Sequence, residues 1–235
     1  MALTDYEKYI KTEELLGLQK KNEDLTCHDE MQFQIIHQAA ELWMKLVAFE
    51  ITQFATRLDA DQLELAVSSF ERVDKIQRVL FQQMDLLDTM SPTSYMTVRT
   101  GLGNGSGQES PGFKRMLKIP GEIVWPAFSR FLEAKSLTLR AIYEDPEKNH
   151  RAYKLAEALV NYDQSLQTWR YRHLMLVYRI IGTGTPSLKG KPSELLAHGM
   201  KQRFFPKLWE IRDELFHEWT EAMKAKGKAT GYDRA

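Results

Sequence analysis

Apolar residues recur along this chain at intervals of three and four residues, the spacing that places them on one face of an α-helix. The alternation of β-branched and polar residues that is typical of a β-strand is absent from the sequence. The pattern therefore predicts an all-α protein, a helical bundle that forms a single domain over residues 1–235.

Capping and breaking residues set the predicted helix ends. Acidic residues at positions 29 and 30 favour a helix amino terminus, and Ser91 followed by Pro92 supplies an N-cap and a first-turn proline. The tail over 224–235 is predicted to be frayed. The predicted helices run from Asp29 or Glu30 to Leu58, from Asp61 to Met90, from Pro92 to Leu102, from Gly121 to Tyr143, from the Asp145-Pro146 turn to Ile181, and over residues 193–199 and 204–225.

Two segments rich in glycine and proline interrupt these helices. They are GNGSGQESPG at residues 103–112 and GTGTPSLKGKP at residues 182–192. Such composition predicts loops with backbone freedom, which either wrap a ligand or simply connect helices.

Charge and cysteine content narrow the possible partners. The 32 Lys and Arg residues balance the 32 Asp and Glu residues, so no net field attracts nucleic acid or an anionic membrane. The single cysteine, Cys27, excludes an intrachain disulfide. Neither a signal peptide nor a stretch of transmembrane length is visible, so we expect a cytoplasmic protein that binds small molecules or proteins.

The motifs of zinc, nucleotide and serine-hydrolase sites are absent, which leaves two histidines on apolar helices, His37 and His173. His173 precedes apolar Leu176 on the same helical face, so we expect its ring to point inward. A buried neutral imidazole can coordinate haem iron, or it can be a core residue that bonds a carbonyl. His37 follows Phe33 by one turn, which is equally compatible with an ordinary core.

Tyr95 and Arg99 lie one helical turn apart beside the first glycine-rich segment. A guanidinium in this place could bind a substrate carboxylate through two hydrogen bonds, or form a surface salt bridge. Residue types and spacing alone therefore indicate a helical bundle with a possible buried histidine site.

Five motifs, taken in order, resemble the tryptophan 2,3-dioxygenase family over nearly the whole chain. YEKYIKTEELLGLQ is similar to the tyrosine-rich opening of the family, FQIIHQAAELWMK to its distal histidine helix, and MSPTSYMTVRTGLGNGSG to its substrate-carboxylate segment. RHLMLVYRIIG with GTGTPS resembles the proximal histidine helix and threonine loop, and RFFPKLWEIRDEL the carboxy-terminal signature.

The resemblance implies haem b as cofactor, with His173 as proximal iron ligand and His37 as distal histidine facing the indole nitrogen. It also implies a homo-oligomer, commonly a tetramer, in which the segment 1–25 forms an amino-terminal helix reaching a neighbouring subunit. The implied roles of the other residues are indole packing for Phe33, carboxylate binding for Arg99 with Tyr95 beside it, ammonium contact for Thr185, haem-pocket contact for Gly107 and Gln108, and contact with the neighbour's pocket for Tyr6, Tyr9 and Ile10.

The activity that the resemblance implies is oxidation of the indole C2–C3 region of L-tryptophan or a substituted tryptophan, with dioxygen or peroxide as oxidant. Dioxygenation would give an N-formylkynurenine-type product and mono-oxygenation a 2-oxindole. Two loops depart from the family pattern: SGQES stands where the family has SGFQS, and GTGTPSLKG where it has GTGGSSG. A haem-dependent tyrosine hydroxylase and a non-catalytic haem sensor or helical interaction module are the alternatives.

Overall fold

The computed structural model describes residues 2–103, 105, 107–183, 199 and 202–227. Within these ranges the regular elements are helices and no strand occurs, which confirms the all-α prediction. The helices are α1 (Asp5–Ile10), α2 (Thr12–Leu16), α3 (Asp29–Asp59), α4 (Leu63–Leu87), α5 (Pro92–Gly101), α6 (Pro111–Ile119), α7 (Trp125–Ala134), α8 (Leu139–Glu144), α9 (His150–Ile181) and α10 (Pro206–Ala225).

Three of the predicted helix ends, on α3, α5 and α9, are confirmed. Helix α3 begins at Asp29 with acidic residues in its first turn, which favour the positive end of the helix dipole. Helix α5 begins at Pro92, and the Ser91 hydroxyl caps it by accepting a hydrogen bond from the Ser94 amide at 3.0 Å. Helix α9 ends at Ile181, as predicted.

The single helix predicted from Gly121 to Tyr143 is wrong. A π-helix over Pro120–Val124 leads into α7, and α7 ends in a Schellman motif in which the Leu137 amide donates to the Leu132 carbonyl at 2.9 Å. The motif places Ser136 in the left-handed region with φ 53°, and a left-handed residue cannot continue a right-handed helix. Thr138 then caps α8.

Helix α6 is a second departure from the sequence-based expectation, because the segment predicted as a loop up to Gly112 already becomes helical at Pro111. The loop contains a 3-10 helix over Gly107–Glu109. The predicted helix at 193–199 lies, except for Gly199, outside the described residues, as do residues 228–235 of the tail that was predicted to be frayed; α10 itself continues to Ala225.

The amino-terminal segment forms two short helices and a 3-10 helix over Asn22–Asp24 instead of one helix. Lys11 separates α1 from α2 because it adopts the left-handed conformation with φ 55°. Helix α1 is closed at its start by a capping box between Thr4 and Glu7, and neither α1 nor α2 buries a residue.

The described residues divide into two compact units. The first lies within Met1–Lys45, Arg78–Lys114 and Trp169–Met200, and the second within Leu46–Gln77, Arg115–Thr168 and Lys201–Ala235. The first unit has a core cluster that draws on α3, α4 and α9, with the buried members Ile36, Met84, Leu87, Met90 and Leu176.

The second unit has its own aromatic core. Phe54 and Phe70 meet edge to face with ring centroids 4.5 Å apart, and the buried Tyr162 hydroxyl donates to the Met116 carbonyl at 3.1 Å. The prediction that residues 1–235 form a single domain stays a prediction. None of the helices in the described ranges combines the length and apolarity that a membrane span requires.

Candidate active site

The two candidate histidines and the candidate substrate residues on α3, α5 and α9 all belong to the first unit. Phe33 and Tyr95 pack against its core cluster with ring centroids 6.3 Å apart, although 62 positions separate them in sequence (95 − 33). Leu176, one turn beyond His173 on α9, is a buried member of the same cluster. The fold therefore brings together apolar faces that the sequence placed on separate helices.

His173 is held on α9 by an aromatic partner one turn earlier. Its imidazole stacks on the indole of Trp169, with centroids 5.3 Å apart and 9° between the planes. The Trp169 Nε1–H donates to the Leu80 carbonyl at 3.2 Å, and the Phe113 ring lies 5.2 Å from the indole. Trp169 is therefore fixed on two sides, and its fixed ring orients the imidazole.

Burial, and to a lesser extent the charge of His37, lowers the pKa of His173 to about 4. At neutral pH the imidazole is consequently uncharged, and an uncharged imidazole has a ring nitrogen with a lone pair. Such a side chain in an apolar setting meets the requirements of an axial haem ligand.

His37 lies on α3 beside Phe33, with ring centroids 4.1 Å apart. Its Nδ1 is 2.7 Å from the Phe33 carbonyl oxygen, and because a carbonyl only accepts, the proton lies on Nδ1. The other ring nitrogen, Nε2, is then free of its proton in the neutral ring and can accept a hydrogen bond. Residue 37 thus offers an acceptor next to an aromatic ring.

His37 is an exposed residue, yet the protein around its ring removes enough water to lower the pKa of the imidazole. Burial is the largest cause, and the Phe33 carbonyl and the charge of Glu41 oppose it. The charge of His37 in turn lowers the pKa of His173, so the two imidazoles lie within electrostatic reach of each other. Both imidazoles therefore favour the neutral state.

Helix α5 carries Tyr95 and Arg99, which are both half-buried one turn apart. Val98, between them, is buried and anchors α5. Of the loop residues, Gly107 is exposed in the 3-10 helix, while the side chain of Gln108 and the whole of Thr185 lie outside the described residues. The roles of all five candidate residues on α5 and in the loops stay predictions.

The amino-terminal candidates are separate from this cluster of side chains. Tyr6 is 70% exposed, Tyr9 is 89% exposed and Ile10 is 39% exposed. Tyrosine rings with this much exposure have surface to offer to another molecule. The predicted contact with a neighbouring subunit's pocket stays a prediction.

Sequence reasoning missed Trp169 and Glu41. Each stands one helical turn from a candidate histidine, Trp169 four residues before His173 and Glu41 four residues after His37. Applying the four-residue helical interval to both histidines would have found them.

A family model described as tryptophan 2,3-dioxygenase matches residues 1–121. The tryptophan 2,3-dioxygenase of Myxococcus xanthus (strain DK1622) is 32% identical over a 263-residue alignment, which covers 90% of this chain and 90% of the relative. That of Bacillus anthracis is also 32% identical and covers 89% of this chain and 92% of the relative. The Caulobacter vibrioides protein of the same name is 31% identical, covering 89% of this chain and 98% of the relative.

Proposed function

This chain belongs to the tryptophan 2,3-dioxygenase family, and on that premise we propose that it is a haem-dependent oxygenase acting on the indole ring of L-tryptophan. The proposed reaction cleaves the indole C2–C3 bond and adds both atoms of one dioxygen molecule, which gives N-formylkynurenine. The relatives are named for this activity, and the alignments cover 90% and 98% of two of them.

The observation that supports the proposal most is the placement of two imidazoles, both with lowered pKa values, in the first compact unit. His173 has a pKa of about 4 and stacks on Trp169, so it is uncharged and oriented, as a proximal iron ligand must be. The residues therefore fit haem b. When bound, haem supplies dioxygen activation, and the protein supplies ligation, orientation and exclusion of water.

Substrate recognition is assigned to residues on α3 and α5. The indole ring is apolar and suits the surface around Phe33 and Tyr95, while the Arg99 guanidinium binds the α-carboxylate. His37 Nε2 accepts the indole N–H, because Nδ1 is committed to the Phe33 carbonyl. One charged anchor and one hydrogen bond then orient the ring, and orientation selects the carbon atoms that react.

A homotetramer completes the proposal. Tyr6 and Tyr9 on α1 are exposed aromatic residues that a neighbouring subunit would cover. In this arrangement each amino-terminal segment closes the substrate pocket of another subunit.

The proposal is tested by an absorption spectrum of the purified protein reconstituted with hemin, recorded before and after addition of L-tryptophan. We expect a Soret band that shifts with L-tryptophan, followed by turnover under reductant and oxygen. The absence of a Soret band after reconstitution would overturn the proposal. A shift with tyrosine alone would favour the tyrosine hydroxylase, and haem binding without turnover of either amino acid would favour the sensor.

The number of oxygen atoms transferred is decided by mass spectrometry with ¹⁸O₂. Two labelled atoms in the product support dioxygenation. A single labelled atom in a 2-oxindole would replace the proposed reaction by mono-oxygenation of the same ring.

A further inference from the structure

Glu41 joins the helix of His37 to the end of the glycine-rich loop. It lies one turn after His37 on α3, and its two carboxylate oxygens bind different residues 69 and 71 positions away. Oε1 accepts from the Ser110 hydroxyl, and Oε2 accepts from the Gly112 amide at 2.9 Å. Both oxygens are thus engaged at the start of α6.

Ser110 takes part in two hydrogen bonds at this junction. While its hydroxyl donates to Glu41, the same oxygen accepts from the Phe113 amide at 2.9 Å and so caps α6. A carboxylate is favoured here, because the free amides and the dipole of a helix start attract negative charge. Glu41 and Ser110 therefore cap α6 together.

The close approach of α3 requires glycine at position 112. A Cβ added to Gly112 would lie 2.6 Å from Glu41 Oε2 and 2.9 Å from Met44 Cβ. Those separations are shorter than van der Waals contact, so any other residue has to push α6 away from α3. The position of this junction is thus set by both hydrogen bonding and shape.

The start of α6 is also linked to His173, through the aromatic side chains of Phe113 and Trp169. Phe113, the third residue of α6, lies 5.2 Å from the Trp169 ring, which stacks on His173. A displacement of α6 would therefore disturb contacts at His173 as well as the loop that ends at Ser110.

We propose that Glu41 is a positioning residue for the oxidation, which fastens the start of α6 and the end of the 103–110 loop to the helix of His37. This inference rests on the proposed function, since it assigns Glu41 to the same site. Glu41 acts through Ser110 and Gly112, whose hydrogen bonds tie the start of α6 to α3 one helical turn after His37.

The test compares Glu41→Ala with Glu41→Gln in the haem-loaded full chain. We expect Glu41→Ala to lower kcat for L-tryptophan by about tenfold or more, the usual cost of losing an outer residue that orients a site. KM should change far less, because the proposed carboxylate anchor on α5 is untouched, and the Soret band should be retained. Glu41→Gln keeps an amide oxygen that can accept from Gly112, and should restore part of kcat.

Hydrogen–deuterium exchange supplies a readout that does not depend on activity. The amides of Gly112 and Phe113 should exchange faster in Glu41→Ala than in the wild type, and Gly112→Ala should give the same acceleration by the steric route. Ser110→Ala keeps the Glu41 carboxylate, so its amide exchange rates should be intermediate between those of the wild type and Glu41→Ala. This variant replaces Glu41→Ala in the comparison if Glu41→Ala fails to fold. Glu64→Ala is the matched control, since its pair with Arg151 is exposed and far weaker.

Unchanged exchange and unchanged kcat in Glu41→Ala would overturn the inference, as would an equal fall of kcat in Glu64→Ala. A parallel loss of haem and thermal stability, with normal kcat per haem, would mean that Glu41 only supports the fold and would also overturn it. If the wild type binds haem but does not oxidise tryptophan, the proposed function fails, while the exchange result still decides whether Glu41 fastens α6.

Discussion

The imidazole of His173 lies almost parallel to the indole of Trp169, with 9° between the ring planes and 5.3 Å between the centroids. Trp169 in turn donates its Nε1–H to the Leu80 carbonyl on α4. The orientation of the proposed iron ligand is therefore fixed by a neighbour on its own helix and by that neighbour's bond to another helix.

His173→Ala should abolish haem retention, because it removes the proposed proximal nitrogen from an apolar setting that offers haem little else. The measurement is the ratio of Soret to protein absorbance after reconstitution and gel filtration. His217→Ala, at an exposed histidine on α10, is the control and should keep the wild-type ratio. A normal haem content in His173→Ala would contradict the proximal assignment.

Arg99→Ala should weaken binding of L-tryptophan by roughly 10- to 150-fold, which corresponds to the loss of a charged hydrogen bond worth about 1.5–3 kcal/mol. Titration of the Soret shift gives the dissociation constant. Arg115→Ala is the matched control, since Arg115 pairs with Glu122 between two exposed side chains. An affinity equal to that of the wild type would remove the carboxylate role from Arg99.

His37→Ala should retain haem and lower kcat for L-tryptophan or change the product, because the indole N–H loses its acceptor at Nε2. A tryptophan analogue methylated on the indole nitrogen has no N–H to donate, so it should respond far less to the substitution. Steady-state rates and product masses for both substrates provide the measurement. Identical kinetics and products in variant and wild type would make His37 a bystander.

Tyr9→Ser should leave the stability of the isolated subunit unchanged, because a side chain that is 89% exposed contributes little to the folded monomer. In the proposed tetramer the same change should weaken L-tryptophan binding or loosen the assembly. Sedimentation velocity and the Soret titration measure the two effects. If both stay at wild-type values, the neighbour-pocket role of the amino-terminal segment is wrong.

Glu30 should make folding stability depend on pH in the acid range. Its burial alone would raise the pKa of the carboxyl group, but hydrogen bonds from Lys20 and Thr26 outweigh burial and lower it from 4.5 to about 2. The folded state therefore binds this proton less readily than the unfolded state does. The stabilisation is complete above about pH 4.5 and is lost as the pH falls toward 2.

The measurement is urea unfolding of wild type and Glu30→Gln between pH 6 and pH 3, roughly the span in which the unfolded carboxyl titrates. The stability gap between the two proteins should narrow as the pH falls. A stability difference that stays constant from pH 6 to pH 3 would contradict the prediction, because it would mean that Lys20 and Thr26 do not stabilise the charged form of Glu30.

Helix positions could be predicted wherever they depend on local sequence. The start of α3, the Ser91 cap of α5 and the end of α9 follow from capping residues and apolar periodicity. The break at Ser136 could not be predicted, because the left-handed residue is a serine and no glycine or proline marks the position. Local signals fail where a residue adopts a conformation that it does not usually favour.

The candidate site was only partly predictable for a different reason. His37 and His173 stood out as polar residues on apolar helices. Residue types alone left open whether they form a haem site or belong to an ordinary core, and the haem-site interpretation came from the family resemblance. The bonds of Glu41 to Ser110 and Gly112 join residues about 70 positions apart, and helical periodicity contains no information on such pairs. Long-range contacts of this kind are visible only in the folded structure.

In the second unit, Asp163 is fully buried and accepts hydrogen bonds from the Trp209 indole nitrogen at 2.9 Å and from the Phe204 amide at 3.0 Å. A chain cut ahead of residue 204 would lose both of these donors and leave the Gln167 side-chain amide, at 3.4 Å, as the remaining donor among those described for this carboxylate. Proteolytic removal of α10 would therefore destabilise its surroundings, because a buried carboxylate that loses hydrogen-bond donors costs free energy.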